Sequence, residues 1–309
     1  MTDIAGVLSA VVTPFTGPDS ELDQPCLREL IERTISAGAH GLVPCGSTGE
    51  FAAMSPDERR AVVEVVLDQT GGRVPVIAHV GAMTTRDAVG LAKHAETSGA
   101  AAVMAVAPYY EPLTVGEVKR YFRAIAEAVT IPVVLYNLPV ATGVNLTPED
   151  VADLARSTQN IRYVKDTTGD LSQAAHLIHD YGDVIKTFVG WDTLFFTSLL
   201  EGSPGSIVGA ANFLTPQLRA VYDAVQADDI VTARNEWLRI FPVMQFLVSG
   251  GYVAAVRGAL DILGYPVGPA RAPIEELEPA RRSDLETLLK ALYGGDALAG
   301  SAPVDLRSR

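Results

Sequence analysis

Lys165 stands where a chain has little reason to place a lysine for solvation alone. It ends the apolar run Ile161-Arg-Tyr-Val-Lys and is followed at once by the polar turn Asp166-Thr-Thr-Gly-Asp170. The chain has five lysines, Lys93, Lys119, Lys165, Lys186 and Lys290, among 24 basic residues. An ammonium held among apolar side chains loses stability relative to the neutral amine. A neutral amine can attack a carbonyl carbon and form an imine. Three other features suit such chemistry. Gly46-Ser-Thr-Gly-Glu50 sets two glycines about two hydroxyls, and successive backbone N–H groups in such a turn can cradle a carboxylate. Tyr136 closes the run Pro132-Val-Val-Leu-Tyr and offers a phenol that can relay protons, as does Tyr110. Asp192 offers a carboxylate to substrate hydroxyls. Each has an ordinary structural alternative: a lysine facing water, a plain turn, core aromatics with rim hydroxyls, and a helix N-cap aspartate.

The elements that must hold these residues alternate regularly. Strand patterns fall at Gly6–Pro14, His40–Cys45, Val74–Val80, Ala101–Ala107, Pro132–Asn137, Ile161–Asp166, Ile185–Trp191 and Gly205–Ala210. They are nearly continuous Val, Ile, Leu and Ala, as strands buried on both faces of a parallel sheet should be. Helical patterns lie between them. Ser55-Pro-Asp-Glu58 has the form of a capping box, and Thr84–Asp87, Thr114–Glu117 and Thr147–Asp150 follow the same logic. Eight strand–helix units predict an α/β chain folded as a (β/α)8 TIM barrel over residues 1–225. A doubly wound sheet is the alternative, but no Gly-x-Gly-x-x-Gly turn follows the first strand. Residues 226–296 read as helices packed on the barrel in the same structural unit, and 297–309 as a flexible tail.

In such barrels the active site lies at the C-terminal ends of the strands. There the sequence places Cys45-Gly-Ser-Thr-Gly-Glu50, Pro108-Tyr-Tyr110, Tyr136-Asn-Leu-Pro139, Lys165-Asp-Thr167, Gly190-Trp-Asp192 and Gly209-Ala-Ala-Asn212. Every polar group wanted for carbonyl chemistry falls on one rim.

The bulk properties narrow the class. With 309 residues and a net charge of −13, the chain is a poor match for nucleic acid or an anionic membrane. No apolar run approaches the roughly 20 residues of a membrane span. Met1-Thr-Asp-Ile-Ala lacks the basic start of a secretory signal, which predicts a cytoplasmic location. Cys26 and Cys45 make no disulfide framework, and the five histidines make no metal-binding pattern. A metal-dependent hydrolase would need a ligand cluster that is missing, so neither metal nor cofactor is expected.

Taken together, Gly41-Leu-Val-Pro-Cys-Gly-Ser-Thr-Gly-Glu-Phe51 with Glu58, Tyr136-Asn-Leu-Pro139 with Thr142-Gly143, and Lys165 29 residues after Tyr136 resemble the N-acetylneuraminate lyase and dihydrodipicolinate synthase family of Schiff-base barrel enzymes. The resemblance spans roughly residues 4–295. It implies that Lys165 forms an imine with the keto carbon of pyruvate or another 2-oxo acid. It implies that Ser47 and Thr48, in the loop opened by Gly46, bind the carboxylate, and that Tyr136 shuttles protons. Thr48 and Tyr110 match proton-relay partners, with Tyr110 supplied across a subunit interface. The carbonyl of Ile207 would face the site, and the assembly would be a homotetramer. Thr167 and Gly190-Trp-Asp192 match polyol-binding positions of the sialic-acid lyase branch.

Three departures matter. Ala141 stands where members that condense pyruvate with aspartate semialdehyde carry a carboxylate-binding arginine. Thr193 replaces a glutamate of the sialic-acid branch. Tyr163 replaces a small residue before Val164-Lys165, a change expected in the strand's outward packing. The expected function is a pyruvate-dependent class I aldolase or lyase that reversibly cleaves a 2-oxo acid, such as a hydroxylated sugar acid, to pyruvate and an aldehyde. The alternatives are 4-hydroxy-tetrahydrodipicolinate synthase, a Schiff-base dehydratase of a keto-deoxy sugar acid, and a non-catalytic barrel with a binding or regulatory role.

Overall fold

A computed structural model of the chain describes residues 3–17 and 20–294; the expected tail at 297–309 lies outside them. The eight strands expected from the apolar runs form. They are β1 (Gly6–Ala10), β2 (Gly41–Val43), β3 (Ile77–His79), β4 (Ala102–Val106), β5 (Val133–Asn137), β6 (Ile161–Asp166), β7 (Lys186–Val189) and β8 (Gly205–Val208). All neighbours are parallel. β1 pairs with both β2 and β8, β3 to β8 follow in order, and a parallel bridge between Leu42 and Val76 closes the ring. The result is a (β/α)8 barrel.

Most strands are shorter than the apolar runs that announce them. After Ala10 the chain stays buried but leaves the ladder: the N–H of Val12 donates to Asn212 Oδ1 at 3.1 Å. Hydrophobic pattern reports burial, and burial continues where strand pairing has ended. A two-residue antiparallel ribbon, Phe15–Thr16 with Glu21–Leu22, follows β1 and has no counterpart in the expected pattern.

Helix starts follow the cap chemistry. Ser55 Oγ accepts from the N–H of Glu58 while Glu58 returns a bond to the N–H of Ser55, and Thr114/Glu117 and Thr147/Asp150 do the same. Each such cap is worth about 1 kcal/mol. They fix where each helix begins outside the barrel, and so how much chain is left at the rim.

Among the described residues three helices follow the last barrel helix (Thr215–Gln226): Ile230–Val248, Tyr252–Ile262 and Pro279–Tyr293. They are anchored to the loop after β2 by a buried ion pair. Glu50 Oε1 accepts from Arg257 Nε at 2.8 Å and also from its Nη2, and Glu50 Oε2 accepts from the N–H of Arg271 at 2.8 Å. Arg257 also donates to the carbonyls of Thr13, Val267 and Gly268. Both side chains are almost wholly hidden from solvent. Arg257→Ala leaves the Glu50 carboxylate buried without its cation and should lower the unfolding free energy by about 3–5 kcal/mol, read from the midpoint and slope of urea unfolding.

Candidate active site

The loop after β2, the ends of β5 to β8 and the segment joining the first two C-terminal helices enclose a cavity of about 290 Å³. Larger hollows lie elsewhere: about 1630 Å³ around the N-terminal strand ends and about 590 Å³ on the outer wall beside Tyr110. Neither holds a buried lysine at a strand end.

Lys165 is the buried centre of this cavity, 6% exposed. It pairs in register with Tyr136 of β5 and Phe188 of β7. Directly paired residues of parallel strands share a face, so the amine comes to rest 4.1 Å from the centre of the Tyr136 ring. The Tyr136 hydroxyl lies 3.5 Å from Ser47 Oγ. Amine, phenol and serine hydroxyl thus meet in one place, although Ser47 and Tyr136 are 89 residues apart. Thr48 is buried beside them.

Gly190 makes room for the lysine. A Cβ there would lie 2.4 Å from Lys165 Cε and 2.3 Å from Thr167 Oγ1. Gly209 has a similar task, since a Cβ would lie 2.6 Å from the Tyr252 hydroxyl and 3.0 Å from Thr48 Oγ1. In the Gly46–Glu50 loop the protein's own packing requires one of the two glycines. Nothing would obstruct a Cβ at Gly46, and Gly49 is needed against the carbonyl of Val11, at 2.8 Å. The left-handed turns of this loop fall on Cys45 (φ 58°) and Glu50 (φ 57°).

Tyr163 is corrected by the structure. It lies two residues before Lys165 and therefore on the same inward face of β6, not the outward one. It stacks on Phe188 at 5.6 Å, and its hydroxyl accepts from the N–H of Ile4 at 3.2 Å. Asp166 is the residue that faces outward. It is buried, accepts from the N–H of Thr168 at 2.9 Å through one oxygen, and has no hydrogen-bond partner among the described residues on the other. Burial pushes its carboxyl up to about 6.

Of the other expected residues, Thr167, Gly190, Asp192 and Ile207 line the cavity, and Gly46 does not reach it. Tyr110 stands outside, 84% exposed. Ala141 lies exposed on the short helix Pro139–Thr142, and Lys165 is the sole cationic side chain among the described residues lining the cavity. Thr167 Oγ1 is buried and has no hydrogen-bond partner among the described residues. Asp192 is 3% exposed, and burial raises its carboxyl to about 6 while Tyr252 and the Lys165 ammonium oppose the rise. His79 stands behind Tyr136 at 6.3 Å between ring centres. Burial, with Arg59 and Lys165 nearby, holds its pKa well below 6.5, so it is a neutral wall. No group of three or more His, Cys, Asp or Glu side chains among the described residues could hold a metal ion.

The sequence reading missed Tyr252, Leu247 and Val253, which wall the cavity from the C-terminal helices. Nothing local marks them. The one signal was Gly250-Gly251, a paired glycine that breaks a helical pattern just before a tyrosine.

Residues 3–292 match the family model for the dihydrodipicolinate synthetase family. The chain belongs to that family. It is 36% identical over 289 residues to the 4-hydroxy-tetrahydrodipicolinate synthase of Methanopyrus kandleri, covering 94% of this chain and 96% of that protein. It is 37% identical over 285 residues to the protein of the same name from Geobacter sulfurreducens, covering 92% and 97%. The crystal structure of a chloride-inhibited dihydrodipicolinate synthase from Acinetobacter baumannii complexed with pyruvate superposes with a TM-score of 0.90 at 31% identity, covering 94% and 99%. As a member of the dihydrodipicolinate synthetase family the chain is an enzyme, a lyase of the class I aldolase type. Among its described residues no helix is long and apolar enough to cross a membrane.

Two measurements test the geometry. Gly190→Ala is compatible with the backbone but forces the lysine aside. A displacement on the order of 1 Å at a reacting group lowers turnover roughly 100-fold, and that loss is expected with circular dichroism unchanged. Asp166 takes up its proton more readily folded, at about 6, than at its ordinary 3.8. Its contribution to stability therefore falls as pH rises between those values, and the penalty is complete above them. Asp166→Asn removes it, so the variant should gain stability on the order of 3 kcal/mol near pH ~8 and nothing near pH ~3. Thermal melts at the two pH values read the difference.

Proposed function

We propose that this enzyme uses Lys165 to form an imine with the keto carbon of pyruvate or a close 2-oxo acid. The reading rests chiefly on the amine of Lys165 lying buried against the Tyr136 ring, with the Tyr136 hydroxyl beside Ser47. The amine adds to the ketone, the carbinolamine loses water, and a protonated C=N bond remains. Ser47 and Thr48 hold the carboxylate. Tyr136, with Thr48, passes protons to the departing water and to the oxygen of the aldehyde. The protonated imine draws electrons from the adjacent carbon, which loses a proton to become an enamine and attacks the aldehyde. Hydrolysis of the new imine frees Lys165. Cleavage is the same path in reverse, and no step calls for a metal or cofactor.

The partner aldehyde is one without a carboxylate. Among the described residues the cavity lining offers a second carboxylate no cation other than Lys165, which is engaged in the imine, and Ser47 and Thr48 are taken by the carboxylate of the 2-oxo acid. The second reading is 4-hydroxy-tetrahydrodipicolinate synthase, favoured by the names of relatives at 36–37% identity; Ala141 in place of the arginine weighs against it. The enzyme works in the cytoplasm as a homotetramer, in which Tyr110, exposed in the single chain, is received by a neighbouring subunit.

Borohydride reduction in the presence of pyruvate tests the reading. A stable adduct on the peptide that carries Lys165 is expected, and none in Lys165→Ala, read by peptide mass spectrometry. A wild-type chain that traps no 2-oxo acid overturns it.

A further inference from the structure

Tyr252 reaches the cavity from outside the barrel. It is the first residue of the helix Tyr252–Ile262, and the chain turns into it through Gly250 (φ 128°) and Gly251 (φ 59°). Its hydroxyl donates to Asp192, 2.8 Å from one carboxylate oxygen and 2.9 Å from the other, and accepts from the N–H of Gly209 at 3.0 Å. Asp192 also receives the N–H of Ala210 at 3.4 Å. The residue is partly buried, and desolvation of the phenol together with Asp192 pushes its ionisation well above the ordinary range, so it stays a donor. The carboxylate that sequence reasoning offered to substrate hydroxyls thus already has two protein donors, with acceptor capacity left over.

The other walls are different. Thr167 Oγ1 faces no protein partner, and Leu138, Leu247 and Val253 are apolar. An aldehyde entering here meets one unpartnered hydroxyl, hydrocarbon, and a carboxylate engaged by Tyr252. A site built to hydrogen-bond a substrate hydroxyl discriminates strongly for it, and an apolar wall does not.

We infer that Tyr252 is a specificity-determining residue: by clasping Asp192 it directs the aldehyde half of the cavity toward short, sparsely hydroxylated aldehydes and away from polyols. The inference rests on the imine reading above. Removing the phenol oxygen releases Asp192 toward the cavity and turns the same pocket toward hydroxylated partners.

The experiment measures kcat/KM for aldol addition of pyruvate to propionaldehyde and to glyceraldehyde, after borohydride trapping has shown how much of each protein forms the imine. In Tyr252→Phe the glyceraldehyde-to-propionaldehyde ratio should rise about tenfold or more over the wild type. An unchanged ratio, with pyruvate still trapped, overturns the role of Tyr252 and leaves the imine reading standing. Failure of the wild type to trap pyruvate overturns both. Asp192→Asn gives a check that does not depend on Tyr252→Phe folding, because the amide can still accept from Tyr252. With Asp192 engaged by Tyr252 in the wild type, this variant should change kcat/KM for the two aldehydes by the same factor. A loss confined to glyceraldehyde overturns the inference.

Discussion

The mouth of this barrel depends on a buried ion pair between residues 207 positions apart, Glu50 and Arg257. Taking two charges out of water is expensive, and their mutual attraction offsets it only when the remaining donors and acceptors are also matched. Here they are matched on every side. Both carboxylate oxygens of Glu50 have N–H partners, and Arg257 also donates to three carbonyls drawn from two distant stretches of chain. The arrangement leaves little freedom in how the loop after β2 sits against the C-terminal helices. That loop carries Ser47 and Thr48, and those helices carry Tyr252. One electrostatic contact therefore relates the two sides of the cavity to each other.

Inside the ring the geometry is set by register. Tyr136, Lys165 and Phe188 lie level on three adjacent strands, with Tyr163 below them stacked on Phe188. The aromatic layer closes the barrel interior beneath the amine, so the lysine can extend only toward the cavity. Gly190 leaves it the space to do so. The ladder has no slack here, because a slip of one residue would turn Lys165 outward to where Asp166 now lies.

The same rim carries polar groups that the protein leaves unmatched. Thr167 Oγ1 and one oxygen of Asp166 have no hydrogen-bond partner, and Asp166 and Asp192 are carboxyls whose charged forms are disfavoured by burial. Unmatched polar groups lower stability, and at a strand-end rim that cost is the usual consequence of building a site for a ligand.

Whatever depends on near neighbours was legible in the chain. Strand existence followed from apolar runs, helix starts from Ser55, Thr114 and Thr147 with their partners three residues on, and the rim position of Lys165, Tyr136, Ser47 and Asp192 from their places at strand ends. Those signals are local, since period, cap and strand order are all written within a few residues. The rest came from contacts between distant segments. It ended β1 at Ala10 by turning Val12 to Asn212, and put Tyr163 inside the barrel through the parity it shares with Lys165. It left Tyr110 outside the cavity, and brought Tyr252 across 60 residues to occupy Asp192. Which polar group meets which is settled by closure of the ring and docking of the last helices, and no window of sequence contains both partners.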